Sequence, residues 1–303
     1  MRKLLLAVVL TVQAGFLFAQ EDKGKTEKKE GWKGSGTFQV LFNQAAFNAE
    51  WQGGGSSNYA GNISISYDLN YSKGRLTWDN KFLGDYGMTK IKDEDWSRKT
   101  NDRLELNSVV GYKLNKETKW SYSFFLNFRT QFAQGYEYDD TYPDGRKKYT
   151  EFMSPGYLQF GPGMLWKDSE NLKVNVSPAT ARMIFVSDRF TGENNVLTGD
   201  PYVDGDYFGI DKGETFRFEF GASVSGYYKF KLADNVSMEN MLALYSNYLD
   251  KPQNIDLNYT MNLNMKVNKH LSANFIFQTI YDDNAVSGFQ VREVLGVGFN
   301  YAL

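Results

Sequence analysis

Alternation between apolar and polar residues, sustained over long stretches, is the feature that most restricts how this chain can fold. In residues 59–71 the odd positions are mostly aromatic or aliphatic, as at Tyr59, Ile63 and Leu69, and the even positions are small or polar. Because successive side chains of a β-strand point to opposite faces, a period of two predicts strands with one apolar and one polar face. The same pattern recurs to the end of the chain and predicts about twelve strands.

Composition supports strands rather than membrane-crossing helices. Aromatic residues, which favour strands, make up 16% of the chain. Mean hydropathy is -0.50. The one apolar run that nears the roughly 20 residues of a transmembrane helix is Leu4 to Ala19, at the extreme N-terminus. We therefore expect an all-β fold for the body of the protein.

The N-terminus has the three parts of a secretory signal. Arg2 and Lys3 precede the apolar stretch, and the small residue Ala19 offers a cleavage point before Gln20. The residues that follow alternate acids and lysines without large apolar side chains, which predicts a flexible tail. An uncleaved N-terminal membrane anchor is the alternative for the first segment. The predicted division is a signal peptide at 1–19, a flexible periplasmic tail at 20–31 and a β-barrel at 32–303.

The connections between the predicted strands alternate in length, and this alternation indicates where the sheet lies. Short turns are expected at 72–74, 115–119, 167–171, 233–235 and 268–270. Mostly longer polar loops are expected at 52–58, 87–101, 134–155, 187–213, 250–254 and 282–290. Outer-membrane barrels combine tight periplasmic turns with longer outer loops. The sequence thus predicts a transmembrane antiparallel up-and-down β-barrel in outer-membrane lipid, with periplasmic termini; a soluble sandwich or lipocalin-like barrel is the alternative.

Aromatic residues near the ends of the predicted strands agree with a barrel in a membrane, where they form girdles at the interfaces. This set comprises Tyr71, Trp78, Tyr86, Tyr112, Trp120, Trp166, Tyr248 and Tyr281. The last strand also resembles the C-terminal signal that the barrel assembly machinery reads, through Gly298, Phe299, Tyr301 and Leu303. It departs from that signal at Gly296, where a polar residue is usual, and at Leu303, where an aromatic residue is usual. Barrel assembly machinery is therefore expected as a partner during insertion.

Several short motifs resemble those of a family of outer-membrane barrels from Bacteroidetes that is known only as a domain of unknown function. The main motif residues are Trp51, Gly53, Gly54, Trp78, Asp79, Asn80, Lys99, Thr100 and Asp102. Further matches are Tyr86, Gly87, Arg103, Thr130, Gln131 and Phe132. The resemblance is strongest over residues 36–136. It implies a barrel architecture and brings no activity, cofactor or substrate with it.

The residues available for catalysis and metal binding are few. His270 is the single histidine and lies in a predicted periplasmic turn, far from any site at the outer surface. Ser-His and Asp-His hydrolysis therefore have little support, and we predict no enzymatic activity, no cofactor and no metal site. Near-balanced charge, with 34 Lys and Arg against 36 Asp and Glu, gives no reason to expect nucleic acid as a partner.

Acids in two long loops raise calcium as an open alternative, because hard oxygen ligands suit that ion, although their spacing matches no calcium-loop signature. These residues are Asp139, Asp140, Asp144, Asn194, Asn195, Asp200, Asp204, Asp206 and Asp211.

The inward phase of the strands carries charges of both signs, which suggests ion pairs inside the barrel. We predict a lumen network of Arg103, Glu105, Arg129, Arg217, Glu219 and Arg292. Such pairs would narrow or occlude the lumen, which favours a non-enzymatic barrel that serves as a structural or accessory subunit of an outer-membrane assembly, with possible protein partners there. A small-solute, porin-like channel is the alternative function.

Overall fold

The computed structural model describes residues 30–48 and 56–303. The signal peptide, nearly all of the predicted tail, and the motif residues Trp51, Gly53 and Gly54 lie outside the described residues. Within the described part, no helix is long and apolar enough to cross a membrane. The first strand begins at Gly31, the last residue assigned to the tail.

Fourteen strands and one short 3-10 turn, Asp188–Phe190, make up the regular structure of the described chain. The strands are β1 Gly31–Ala45, β2 Asn58–Lys73, β3 Leu76–Ile91, β4 Arg98–Lys113, β5 Trp120–Thr130, β6 Gly135–Tyr138, β7 Arg146–Thr150, β8 Gly156–Ser169, β9 Leu172–Phe185, β10 Phe216–Ala233, β11 Val236–Asn247, β12 Ile255–Lys266, β13 Leu271–Asp282 and β14 Val286–Ala302.

Twelve of these strands form a closed antiparallel barrel, which confirms the predicted fold and strand count. Each barrel strand pairs with its neighbours in sequence, and β1 pairs with β14 to close the ring. Strands β6 and β7 form a separate two-stranded sheet within the connection between β5 and β8. Antiparallel neighbours joined in chain order are the up-and-down arrangement expected from the short connections.

The two ends of the barrel differ in their connections. At one end, here the turn end, every connection is short, as between Lys73 and Leu76. The first barrel residue, Gly31, pairs with Ser72 at this end, and Leu303 donates a backbone hydrogen bond to Gly36 at 2.9 Å. At the other end, here the loop end, the long connections are 46–57, 131–155, 186–215 and 248–254.

Two predicted loops are shorter in the structure than in the sequence analysis. The predicted loop at 87–101 reduces to 92–97, because β3 continues to Ile91 and β4 begins at Arg98. The predicted loop at 282–290 reduces to 283–285, because β14 already begins at Val286. Polar residues at the strand ends concealed these extensions, since a strand that leaves the membrane has no reason to keep an apolar face.

The two faces of the barrel wall separate as the alternation predicts. On β2, Tyr59 and Ile63 are 56% and 51% exposed on the outer face, whereas Asn62 between them is 7% exposed inside the barrel. At the turn end, the ring centroids of Trp32 and Trp78 lie 5.4 Å apart on the outer surface. These outward aromatics form part of an interfacial girdle.

Inward side chains are mostly small and polar in the middle of the wall. Ser123 of β5 donates a hydrogen bond at 2.6 Å to Asn175 of β9, across the intervening strand β8, and Asn175 donates to Ser177 at 3.2 Å. An apolar core also exists, but it lies at the loop end, between the wall and the connection 186–215. Small residues leave room inside a twelve-stranded ring, so longer charged side chains decide how much of the lumen stays open.

The assignment of faces predicts opposite responses to the same substitution. Leu126→Arg places a charge in hydrocarbon and should reduce the free energy of insertion by about 2 to 4 kcal/mol. Asn127→Arg, one residue further and inward, should have a much smaller effect. Refolding yield into lipid vesicles measures both, with Leu263→Arg and Asn262→Arg as a second pair. Equal losses for the outward and inward members would contradict the assignment.

Candidate functional site in the barrel lumen

Side chains from opposite walls meet inside the barrel near the turn end. Lys81 of β3 and Glu239 of β11 form an ion pair with 3.3 Å between Nζ and Oε1. In the ring of twelve strands, β3 and β11 are six positions apart in either direction. This contact therefore spans the full width of the lumen. Glu239 also accepts a hydrogen bond from the Tyr227 hydroxyl at 3.1 Å.

A second set of ion pairs lies close to the first. Asp79 of β3, only 5% exposed, accepts hydrogen bonds from Lys167 of β8 at 2.8 Å and from Lys173 of β9 at 3.1 Å. These strands are three and four positions from β3 in the ring, so both lysines reach across part of the lumen. We name these five residues the turn-end cluster: Asp79, Lys81, Lys167, Lys173 and Glu239.

Arg182 of β9 organises the charges at the opposite end of the lumen. Its guanidinium pairs with Asp282 of β13 at 2.9 Å, with Asp256 of β12, and with Glu219 of β10 at 3.6 Å. Its Cζ lies 5.0 Å from the centre of the Tyr245 ring. Arginine has five N–H donors in a planar fork, which allows one side chain to serve several carboxylates. We name Arg182, Glu219, Asp256 and Asp282 the loop-end cluster.

The connection 186–215, here called the roof, folds over this end of the lumen. Its Phe190, Tyr207 and Ile210 are at most 2% exposed and pack against Tyr157 and Ile184 of the wall. Ile184 faces inward, because it pairs with Arg217 and Tyr157 on its two neighbouring strands. Apolar burial of this extent is typical of a folded core rather than of a solvated loop.

Hydrogen bonds join the roof to the elements around it. The Tyr207 hydroxyl donates to the backbone oxygen of Tyr149 in β7 at 2.6 Å. Arg217 of β10 donates from Nη1 to the Gly209 oxygen at 2.8 Å and to Asn284 Oδ1 at 3.4 Å. Since Asn284 lies between β13 and β14, the roof extends from its own strands to the connection three strands away.

The network predicted from the sequence is divided between two places. Arg103 pairs with Asp85 at 2.6 Å and with Glu105 at 3.7 Å, whereas Arg217 pairs with Glu219 at 3.0 Å. The structure does not bring the other two arginines into these pairs. Arg129 lies over the Tyr157 ring at 4.7 Å, and Nε and Nη1 of Arg292 are buried without hydrogen-bond partners among the described residues.

The sequence analysis missed Arg182 because of an irregularity in β9. Gly221 of β10 pairs with Thr180, but Ser223 pairs with Ser177, so β9 contains one extra residue between these pairs. Such a β-bulge shifts the period of two by one residue. Counting by two from Asn175 therefore places Arg182 on the outer face, whereas the structure places it inside, 4% exposed.

The other missed residues were assigned to connections. Lys167 was expected in a turn and Asp282 in a loop, but β8 extends to Ser169 and β13 ends at Asp282. Where a strand continues a few residues beyond the hydrocarbon, both of its faces carry polar or charged residues. Alternation alone therefore does not reveal where the strand ends.

Most of the motif residues in the described part have structural roles. Asp102 accepts hydrogen bonds from the backbone N–H groups of Phe132 and Ala133 at 2.7 and 2.9 Å, and it pairs with Lys99 at 2.7 Å. Asn80 accepts from the Ser108 hydroxyl at 2.8 Å. Thr100 lies in β4, and Trp78 belongs to the outer girdle. Asp79, by contrast, belongs to the turn-end cluster.

Loop acids that suggested calcium make local hydrogen bonds. Asp204 accepts from the Lys212 N–H at 2.8 Å, and Asp206 accepts from the Val203 N–H at 3.0 Å. In the chain as described, the three carboxylates that lie close enough together to share a metal ion are Asp256, Asp282 and Asp283. His270 is exposed in the turn 267–270.

An apolar outer belt, a closed strand ring and a polar, charged interior define this protein as an outer-membrane β-barrel. The predicted resemblance to a family of unknown function is confirmed over residues 42–136, which match the family described as "Protein of unknown function (DUF3078)". This match covers about a third of the chain. No curated protein matches the sequence.

Solved structures similar to this chain are outer-membrane barrels. An outer membrane channel from Pseudomonas putida F1 has 13% identity and a TM-score of 0.37, with 93% of this chain and 99% of that chain covered. The translocator domain of autotransporter NalP from Neisseria meningitidis has 11% identity and a TM-score of 0.33, with 98% and 96% covered. The outer membrane channel DcaP of Acinetobacter baumannii has 10% identity and a TM-score of 0.28, with 93% and 100% covered. The barrel assignment itself rests on the strand pairing described above.

Burial of roof tyrosines predicts a dependence of roof stability on pH. Burial raises the pKa of Tyr202 and of Tyr207 above the ordinary value of about 10. The folded roof therefore resists their ionisation, so its stability is fully present below about pH 10 and falls as the pH rises above it. Cleavage of the roof by an alkaline-active protease should increase between pH 8 and pH 11.

Tyr207→Phe is the control for this effect. It should loosen the roof at pH 8 by about 1 to 3 kcal/mol through the loss of the hydrogen bond that the hydroxyl shares between the Tyr149 and Ser154 oxygens, and it should show a smaller increase in cleavage at high pH. A roof that resists cleavage equally at both pH values in the unmodified protein would contradict the argument.

Proposed function

We propose that this protein is a non-enzymatic outer-membrane barrel with an occluded lumen that acts as an accessory subunit of an outer-membrane assembly. The observation that carries the occlusion is the ion pair of Lys81 and Glu239. These side chains extend from opposite walls and meet inside the lumen, with 3.3 Å between Nζ and Oε1. An open pore needs a continuous water-filled path, and a direct contact between opposite strands removes the centre of that path.

Two obstructions in series strengthen the proposal. The turn-end cluster crosses the lumen at one level, and the loop-end cluster crosses it from β9 to β13 at another. The roof then packs on the wall above the loop-end cluster. Because the two levels lie in series, rotation of a single side chain opens at most one of them.

Charge pairs of this kind favour a closed resting state over a selective pore. Large pores line the lumen with an excess of one sign of charge, which attracts the permeating ion. In the turn-end cluster, Asp79 faces two lysines and Glu239 faces a third, and Asp68 also pairs with Lys81, so three acids balance three lysines. Breaking such a pair leaves an uncompensated charge in a poorly solvated place.

Electrical recordings test the occlusion directly. The unmodified barrel in planar bilayers should give little steady conductance. The combined substitution Lys81→Ala, Glu239→Ala and Arg182→Ala removes contacts at both levels and should raise conductance at least several-fold, whereas either level alone should have a small effect because the obstructions lie in series. Circular dichroism and heat-modifiable migration on gels establish that each variant is folded.

Lys229→Ala is a matched control. Lys229 also pairs with Glu239, at 3.4 Å, but it belongs to the neighbouring strand β10 and does not cross the lumen. Its removal should leave conductance low. Large steady conductance in the unmodified protein would overturn the occlusion and favour the channel.

The seam of the barrel supports the second part of the proposal, a protein partner. Strands β1 and β14 pair only from Thr37 with Ala302 to Phe42 with Val297. Across the described chain, residues 286–296 of β14 thus have a strand partner on the β13 side and none on the β1 side. Backbone N–H and C=O groups in hydrocarbon need hydrogen-bond partners, so an open edge here is costly in plain lipid.

The carboxylate of Glu293 favours a partner with a basic residue at this edge. It is exposed on the outer face of β14 between Val291 and Leu295, which are 60% and 61% exposed. The described residues offer its carboxylate no ion pair, and a charge within an apolar belt is unfavourable against lipid. We propose that a β-strand of another outer-membrane protein adds to this edge and places a Lys or Arg opposite Glu293.

Site-specific photocrosslinking in native membranes tests this interface. A photoreactive residue at position 291 should form a discrete protein adduct, and the same residue at outward position 263 of β12 should not. Glu293→Lys should reduce the adduct at least tenfold, whereas Glu293→Gln should reduce it less, because an amide still accepts a hydrogen bond. Adducts with lipid alone, or with a second copy of this chain, would contradict the proposed partner.

One observation favours the alternative function, a small-solute channel. Much of the lumen wall carries hydroxyl and amide side chains, among them Ser121, Ser123, Asn175 and Asn274. A permanently filled barrel does not need so polar a wall. In a channel that opens when the roof moves, these hydroxyl and amide groups would hydrogen-bond to the water in the lumen. The conductance experiment separates the two functions.

A further inference from the structure

Three carboxylates gather at the loop end of the lumen. Asp256 is the second residue of β12, Asp282 ends β13 and Asp283 follows it in the connection to β14. One oxygen from each lies within 4.8 Å of the others. Sequence spacing does not suggest this group, because β12 and β13 bring together residues that are more than twenty positions apart.

The charges around these carboxylates do not balance. Four acids, Glu219, Asp256, Asp282 and Asp283, face two arginines, Arg182 and Arg217, so four negative charges minus two positive charges leave an excess of two negative charges. Asp282 is 7% exposed and Glu219 is 1% exposed. Carboxylates that are buried together repel one another unless a cation compensates for them.

Asp283 is the acid of this group that forms no ion pair with Arg182 or Arg217 within the described part of the chain. In the structure as described it accepts a hydrogen bond from the Asn254 amide at 2.6 Å and forms no ion pair. Its two neighbours already share Arg182. The unmet negative charge is therefore localised at Asp283.

A separate observation points to a ligand beside Asp256, on the neighbouring strand β11. The Tyr245 hydroxyl is buried, in a residue that is 5% exposed, and has no hydrogen-bond partner among the described residues. Tyr245 pairs with Asp256 across β11 and β12, and its ring lies beside Arg182. A buried hydroxyl without a partner is rare, and water held by a bound cation would supply one.

We propose that Asp256, Asp282 and Asp283 bind a divalent cation, with calcium as the class that fits best. The carboxylates provide hard oxygen ligands, and water completes the coordination shell. Ligands on opposite sides of Mg²⁺ are at most about 4.2 Å apart, whereas Ca²⁺ allows about 4.6 to 5.2 Å. These oxygens all lie within 4.8 Å of one another, a range that a Ca²⁺ shell accommodates, and the flexible geometry of Ca²⁺ suits carboxylates that other contacts already hold. The ion would join β12 to β13 and lower the repulsion around the loop-end cluster.

Calcium titration of the purified full-length barrel in detergent tests the proposal. Calorimetry should detect one Ca²⁺ site, and Tb³⁺ should give luminescence sensitised by nearby tyrosine that Ca²⁺ displaces. Asp283→Asn should weaken Ca²⁺ binding at least tenfold and leave the Arg182 pairs intact. Asp204→Asn, an acid of the roof with only local hydrogen bonds, is the matched control and should bind as the unmodified protein does.

The possible results separate clearly. Absence of Ca²⁺ binding in the folded, unmodified barrel would overturn the site, as would equal losses in the Asp283 and Asp204 variants. Tighter binding of Mg²⁺ than of Ca²⁺ would overturn the calcium assignment. A rise in unfolding temperature with Ca²⁺ that disappears in Asp283→Asn would support it. None of these readouts depends on conductance or on a partner protein, so the cation site and the proposed function stand or fail separately.

Discussion

The requirement that every backbone polar group in hydrocarbon be hydrogen-bonded underlies the rest of this structure. Strands satisfy it only when the sheet closes, and pairing of β1 with β14 closes a ring of twelve. Closure turns one face of each strand to lipid and the other to a shared interior, so the alternation of apolar and polar residues follows from it. In the described chain, the paired part of the seam runs from Thr37 with Ala302 to Phe42 with Val297.

Closure also leaves a space inside the ring that the long charged side chains of the lumen partly fill. A ring of twelve strands encloses more space than serine, threonine and asparagine side chains fill. Lysine and arginine are long enough to cross the remaining distance, and acids on the far wall hold them there. Lys81 with Glu239, and Arg182 with Asp282, are such contacts. Their value lies less in net stability, since desolvation offsets much of the attraction, than in connecting strands that have no backbone hydrogen bonds to each other.

The candidate site was only partly predictable from the sequence. Alternation correctly placed Arg103, Glu105, Arg217 and Glu219 on the inner face, because they lie in strands with an undisturbed period of two. It failed for Arg182, which follows a bulge in β9, and for Lys167, which was assigned to a turn. It placed Arg129 on the inner face as well, but the Arg129 guanidinium lies over the Tyr157 ring and forms no ion pair among the described residues. These failures share one cause. Residue spacing indicates which face of a strand a residue lies on, but it does not indicate where the strand ends, where it contains a bulge or which residue lies across the lumen.

The sequence by itself determined that this chain forms a membrane barrel of about twelve strands with an apolar exterior and a charged interior, since side-chain periodicity is a local property that each strand carries alone. Tertiary structure decided which charges meet. Contacts such as those of Lys81 with Glu239, or of Asp256 with Asp282 and Asp283, depend on the register of every intervening pair of strands and on how the ring closes. The roof likewise has a core only because residues of 186–215 and of the distant wall bury one another. Distances across a closed ring are a property of the whole barrel, and no segment of the sequence encodes them alone.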